Sequence, residues 1–251
     1  MPGSDIPSSK PSSAPGDTPV RINRYIASSG MCSRRAADKL IEAGCITING
    51  KVAALGDTVS EGDLVEFEGH PVTSIRRKIY IMFNKPRGVT CTASPEDPDN
   101  IIDYIGYPER LFTIGRLDKD SEGLILLTND GDTANLLLRT DGKHEKEYVV
   151  TVDKPITEDF LKKMSSGIYL PELDKTTIPC VIGRNGKKSF RIWLTQGLNR
   201  QIRRMCYALG YRVVKLKRVA FATVELGDLP VGKYRELTDE EIAELKGVTG
   251  N

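Results

Sequence analysis

The feature that most limits what this chain can become lies at residues 112–131, FTIGRLDKDSEGLILLTNDG. An apolar run of Leu111, Phe112 and Ile114 enters it, and Leu124, Ile125, Leu126 and Leu127 leave it. Short apolar runs bounded by turn residues read as buried strands. Between them lies a polar turn from Gly115 to Gly123 that carries Asp118, Asp120 and Glu122. A carboxylate-bearing loop pinned between two core strands is a common way to hold a catalytic group.

Two other readings of this loop are open on its residues alone. It can be a solvated connection whose aspartates favour the turn. It also imitates the first half of a calcium-binding EF-hand, through Asp118, Asp120, Glu122 and Gly123. That imitation fails, because the last ligand position falls on Asn129 rather than Glu and apolar strand residues occupy the positions between.

Five cysteines without a C-x-x-C pair argue against a disulfide framework or a zinc knuckle and for a reducing cytoplasm. Two histidines leave little material for a metal site or a His-centred triad. No apolar stretch reaches the length of a membrane span, and the N-terminus lacks a signal core. We expect no metal, no cofactor and no membrane partner. The net charge of +2 is uninformative, but its distribution is not. Residues 196–218 hold seven basic and no acidic side chains, residues 71–90 five and none, and residues 19–41 five against one. Such clusters are the footprint of a phosphate-bearing partner.

In chain order, residues 1–18 are rich in Pro, Ser and Gly and read as a disordered tail. Residues 19–68 form a compact unit: a first helix with Ile22 and Ile26, then Ser33 as N-cap of a second helix that ends at Gly44, then a hairpin at Asn49-Gly50. Residues 69–78 read as a linker. The second domain, 79–247, opens with a strand and the turn Asn84-Lys85-Pro86-Arg87-Gly88. Asp132 is the expected cap of a short helix, TANLLLRT. A helix over 157–166, strands around a turn at Asn185-Gly186, and a helix from about Asn199 follow. On that last helix Arg200, Arg203 and Arg204 share one neighbourhood. A capping box, Thr238 and Glu241, starts a final helix, and 248–251 form a tail.

GRLD followed by DSEGLILLTNDG resembles the active-site signature of the RsuA-like family of ribosomal RNA pseudouridine synthases. The resemblance implies that Asp118 is the catalytic carboxylate. The KEY triplet matches the family's second motif and implies that Tyr148 contacts the target base. GLNRQIRRMCYALGYRVVKLKR resembles the third, which implies that Arg203 pairs with the aspartate and Leu216 forms an apolar wall under the base. The NKPRG turn is similar to a family loop, so Lys85 and Arg87 are expected to face RNA, as are Arg116, Arg200 and Arg204. Residues 19–68, with SRRAADKLIEAGCITINGKVA, resemble the S4 RNA-binding domain, which implies RNA contacts from Arg21, Arg24, Ser33, Arg34, Arg35, Lys39 and Lys51.

The resemblance spans about residues 21–245. KHEKEY, VDKPIT and QGLNRQIRRM are similar to the RluF-like large-subunit enzymes. It implies an α+β fold: a small S4-like (α-L) domain, then a catalytic domain with a mixed, mainly antiparallel sheet. The implied activity isomerises a uridine of ribosomal RNA, large-subunit ahead of small, with a transfer RNA as a further candidate, by a cytoplasmic monomer. The rival is a non-catalytic S4-type RNA-binding or ribosome-assembly protein. It accounts for the basic clusters but not for GRLD, KEY and NRQIRR in one chain.

Overall fold

The computed structural model describes residues 19–73, 77–139 and 144–247, so the expected tails lie outside the described residues. The chain divides into two compact units, the second beginning at Lys78.

In the first unit, strand β1 (Val20–Arg21) leads into helix α1 (Ile22–Ser28), and α2 (Arg34–Glu42) follows. The Ser33 hydroxyl oxygen accepts from the Ala36 amide at 3.1 Å, which caps α2 as expected. Strands β2 (Ile46–Ile48) and β3 (Lys51–Val52) form the hairpin. Asn49 (φ 51°) and Gly50 (φ 77°) both take the positive φ that such a tight turn requires. Strand β4 (Thr58–Val59) pairs with β1, and β5 (Val65–Phe67) with β2. Ile22, Ile26, Ala37, Ile41, Ile46 and Val65 close the small core. The expected linker starts too early. His70–Pro71 pairs with β5 as strand β6, and Val72 is buried in the same core. A proline at an edge strand gives up no ladder hydrogen bond, so the sequence could hide a strand there.

The second unit is built on a nine-stranded sheet. In chain order its parts are β7 (Tyr80–Lys85), α3 (Ile101–Ile105), β8 (Phe112–Ile114), β9 (Glu122–Thr128), α4 (Gly131–Arg139), β10 (Lys146–Val152) and α5 (Glu158–Ser165). A two-stranded excursion, β11 (Tyr169–Leu170) and β12 (Lys175–Thr176), precedes β13 (Val181–Gly186), β14 (Ser189–Leu194) and α6 (Gln201–Ala208). Strands β15 (Val213–Phe221), β16 (Val224–Glu225) and β17 (Tyr234–Glu236) and helix α7 (Asp239–Gly247) complete it. The sheet order is β13-β14-β10-β15-β9-β7-β17, with β8 on β9 and β16 on β15. Every pair is antiparallel except β9 with β15. The fold is α+β with a mixed, mainly antiparallel sheet.

Residues 80–83 of β7 and 124–127 of β9 are apolar on both faces because both faces are covered. Met82, Leu124 and Leu126 pack with Ala134 and Leu137 of α4 and Leu245 of α7, while Ile81, Phe83, Ile125 and Leu127 pack with Ile101 of α3. A third cluster, Val150, Phe190 and Ile192 with Phe160 of α5 and Met205 of α6, fills the other half. Two expectations are corrected. Asp130, not Asp132, caps α4: its carboxylate accepts from the Asp132 and Thr133 amides, and Tyr80 Oη donates to it at 2.6 Å. Despite burial, these hydrogen bonds hold the Asp130 carboxyl below its ordinary range. The turn between β13 and β14 falls at Lys187-Lys188, past a register shift that absorbs Asn185 into the strand. The capping box at Thr238 and Glu241 forms in both directions, at 2.9 and 3.2 Å.

The parallel pair sets a steric demand. Gly123 (φ +104°) lies beside Arg218, and a Cβ there would sit 2.2 Å from the Arg218 carbonyl oxygen and 2.8 Å from its nitrogen. We expect Gly123→Ala to cost about 2–4 kcal/mol from backbone strain and overpacking. The melting temperature should then fall by at least ~5 °C, read by circular dichroism. An unchanged melting curve would show that the two strands separate without cost.

Candidate active site

Asp118 sits in the turn between β8 and β9, and the turn is held from several sides. The Ser121 amide donates to the Asp118 carbonyl at 3.0 Å, closing it internally. The Gly88 amide and Lys85 Nζ both donate to the Lys119 carbonyl, at 2.9 and 3.4 Å. The Leu117 amide donates to the buried Cys91 Sγ at 3.4 Å, and Lys119 pairs with Asp99 at 2.8 Å. A carboxylate on so constrained a turn needs little rearrangement to be used.

Arginines come to the loop from α6. Arg203 Nη2 donates to the Asp120 carbonyl at 3.0 Å and to Ser121 Oγ at 3.3 Å, and its Nε lies 3.8 Å from Asp118 Oδ2. That Nε is buried without a hydrogen-bond partner. It faces Asp118 at ion-pair range, just beyond hydrogen-bond length. Arg200 Nη1 lies 3.8 Å from Asp118 Oδ2 and 3.6 Å from Asp120 Oδ2. Burial, with the Arg200 charge beside it, lowers the pKa of Arg203. Arg200 has φ 51° and precedes the first turn of α6 rather than lying on it. The expected three-arginine face is therefore split. Arg204 turns away, pairs with Glu172 and donates to the Asn199 carbonyl at 3.1 Å. Glu172 lies in a short 3-10 turn, Pro171–Leu173, which no local spacing connects to the helix.

Asp118, 28% exposed, lines a cleft of ≈ 760 Å³. Arg116 lines it from the same loop; Lys146 and Tyr148 enter from β10, Leu216, Arg218 and Phe221 from β15, and residues 194–202 close the remaining side. Tyr148 lies opposite Arg218 in the ladder, and Lys146 opposite Phe221. Between these pairs the register shifts, and Val219 of β15 is the extra residue. The bulge reverses the alternation, so Arg218 and Phe221 share one face. The Arg218 guanidinium sits 5.5 Å from the Phe221 ring centre. Strict alternation along β15 would have placed them on opposite faces, and Arg218 was not among the expected site residues.

Lys85 requires a correction. Its side chain is fully buried, and Nζ donates to the carbonyls of Pro86 at 2.9 Å, Val89 at 2.7 Å and Lys119. Burial lowers its pKa. Lys85 ties the NKPRG turn to the aspartate turn from inside and cannot reach RNA, whereas Arg87 is exposed. Glu122, at the end of the aspartate turn, pairs with Lys215 at 3.0 Å and is only 12% exposed. In the first unit, Arg21, Arg24, Arg34, Arg35, Lys39 and Lys51 are exposed, and Ser33 is engaged as a cap. Among the described residues no three His, Cys, Asp or Glu side chains gather as a metal site, and no helix is long and apolar enough to cross a membrane.

Lys85 makes a testable claim. Lys85→Met takes the Nζ donor from the carbonyls of Pro86 and Val89 and leaves the Lys119 carbonyl only its Gly88 partner, a loss of about 1–3 kcal/mol at most for each carbonyl orphaned. We expect a lower melting temperature, with the RNA affinity of the folded protein within about twofold of the parent, since ordinary surface-distant changes leave phosphate contacts intact. A large loss of affinity in stably folded protein would return Lys85 to the RNA interface.

Comparison with known proteins agrees with this geometry. Residues 79–208 match the family described as RNA pseudouridylate synthase, and residues 20–65 match the S4 domain. The chain is 48% identical over 231 residues to the dual-specificity RNA pseudouridine synthase RluF of Escherichia coli K12, covering 91% of this chain and 79% of that protein. It is 36% identical to the ribosomal large subunit pseudouridine synthase B of Bacillus subtilis, covering 91% and 96%. A crystal structure of a pseudouridylate synthase superposes with a TM-score of 0.66 at 32% identity, over 90% of this chain and 99% of that one. A constrained aspartate turn, an arginine helix against it and an S4 unit upstream thus occur in a chain that belongs to the RsuA-like family of RNA pseudouridine synthases.

Proposed function

We propose that this protein converts a uridine of large-subunit ribosomal RNA to pseudouridine, with Asp118 as the reacting carboxylate. The observation that carries the reading is the position of Asp118 at a cleft walled by Tyr148 and Leu216, with Arg200 and Arg203 Nε each 3.8 Å from its Oδ2. The reaction breaks N1–C1′, turns the uracil and rejoins it through C5, with no net redox change or hydrolysis. Asp118 either attacks C1′ as a nucleophile or removes the C2′ proton so that a glycal forms. Both routes need the ionised carboxylate, and Arg200 and Arg203 lie at ion-pair range of it.

The target base must leave its stack, at a cost of order a few kcal/mol. Stacking on Tyr148 recovers roughly 1–3 kcal/mol of that. Leu216 forms the apolar wall beneath the base. Arg116, exposed at the cleft rim, meets RNA or fills the space that the flipped base vacates. Arg87, Arg200 and the basic side chains of the S4 unit contact phosphates, which position RNA without reading sequence. Arg204, held by Glu172, contributes at most the edge of this surface. We further propose that the protein acts as a cytoplasmic monomer. Since the E. coli relative is described as having dual specificity, a transfer RNA is the second substrate to test.

The decisive measurement is on Asp118→Asn. Asn keeps the shape of the turn and removes the charge that either route needs. We expect a near-normal melting temperature and RNA affinity, and no pseudouridine in unmodified ribosomal RNA, while Asp120→Asn keeps substantial activity. Wild-type turnover by Asp118→Asn would overturn the assignment.

The S4 unit has its own test. Arg34→Glu with Arg35→Glu should weaken RNA binding and make the slope of log affinity against log salt shallower by about 2, near 0.9 per lost phosphate contact. An unchanged slope would remove these arginines from the interface.

A further inference from the structure

Arg218 and Lys146 are two cations on the inner face of the cleft with no acid to answer them. Arg218 is 2% exposed. Its Nε donates to the Leu124 carbonyl at 2.7 Å, and its Nη2 is buried with no hydrogen-bond partner. Lys146 Nζ donates to the carbonyls of His144 at 2.9 Å and Thr195 at 3.0 Å, so both of its acceptors are neutral. Neither side chain has an ion-pair partner among the described residues, and Asp118 is the one carboxylate lining the cleft. Burial, together with the charge of Arg218, lowers the pKa of Lys146. Glu147, next along β10, is taken by Arg191, and Glu122 by Lys215.

Burying one unpaired cation is costly, and placing a second beside it compounds the cost. A fold that keeps both at a binding cleft has a use for positive potential there. A phosphodiester would neutralise it, but its chain continues in both directions, and Arg218 lies too deep for it. The part of a flipped nucleotide that projects inward is the base. Uracil is neutral in the RNA, but when N1–C1′ breaks the bonding electrons stay on the ring, as an anion spread over N1, O2 and O4. This holds whether Asp118 attacks C1′ or a glycal forms. When C5 closes on C1′, the ring's electron pair makes the new bond. The proton on C5 then leaves and N1 regains one, so charge and atoms balance.

We propose that the buried Arg218 and the half-buried Lys146 together hold the negative charge of the uracil while it is detached from the ribose; this rests on the reading of the cleft as the isomerisation site. Fixed charges in a water-poor site act without reorganising, and they act on charge that exists only part-way through the reaction. Phe221, opposite Lys146 and beside the Arg218 guanidinium, keeps the two cations on one wall. The bulge at Val219 makes that grouping possible.

The test varies the leaving group. A fluorine at C5 withdraws electrons and lets the base depart more easily, so it should relieve a defect in charge stabilisation. Large-subunit RNA is transcribed with uridine or with 5-fluorouridine. Loss of the N-glycoside at the site mapped with wild-type protein is then followed in single turnover. Lys146→Gln and Arg218→Gln should slow uridine cleavage by about 10²-fold, the scale of one preorganised donor. They should slow 5-fluorouridine cleavage by no more than ~10-fold, because the better leaving group needs less help. Lys146→Arg and Arg218→Lys should recover most of the uridine rate. Equal slowing on both substrates, or conservative variants as slow as the neutral ones, overturns the proposal and leaves a structural role. Should Arg218→Gln fail to fold, Lys146→Gln decides alone. Wild-type protein that forms no pseudouridine would instead sink the functional reading itself.

Discussion

The structure depends on two residue pairs. Lys217 with Glu122, and Arg218 with Gly123, form the parallel contact between β15 and β9, and this contact joins the two halves of the sheet. On one side lie β7, β8, β9 and β17, which carry the Asp118 turn. On the other lie β10, β13, β14 and β15, which carry Tyr148, Leu216 and Arg218. One apolar cluster spans the join, with Phe221 and Val224 beside Leu124 and Leu126, and Tyr148 packs against the two others. The cleft lies at this seam because that is where groups from distant stretches of chain first meet. Arg203 crosses the seam as well, from α6 to the backbone of the aspartate turn. A looser join would separate Asp118 from Tyr148 and Leu216.

Much of this was legible in one dimension, wherever the signal was local. Ser33 and the Thr238–Glu241 box cap helices because their partners are three residues away. The Asn49-Gly50 hairpin and the Asp118 turn were legible for the same reason: turn residues stood between apolar runs. The apolar runs of β7 and β9 announced strands covered on both faces.

What the sequence concealed was long-range. Lys85 sits in a basic, Pro-Gly turn that reads as solvent-facing. Its burial follows from carbonyls up to 34 positions away, which no window contains. Arg204 shares a helix with Arg203, yet Glu172 from a separate turn takes it away. Asp130 outcompeted Asp132 as a cap because Tyr80, on another strand, reaches its carboxylate. Arg218 follows Lys215 and Lys217 and reads as one more solvated cation, although alternation with Leu216 puts it on the inward face. The family motifs pointed to Asp118, Tyr148, Arg203 and Leu216 together, and the structure puts Asp118, Tyr148 and Leu216 on one cleft with Arg203 beside Asp118. They did not indicate which of the neighbouring cations are buried.

The extra residue at Val219 bears on how this strand can change over time. β15 meets β10 with two register shifts, so nine of its residues span seven of its partner's. Point substitutions leave that phase intact. Loss of the Val219 codon would remove the bulge itself, so Arg218 and Phe221 would stand two positions apart and still share a face by plain alternation. A second residue lost between them has no bulge left to absorb it and would turn Phe221 away from the cleft. Lineages descended from such a gene can therefore shorten this part of β15 by one residue but not by two, even where the side chains themselves drift.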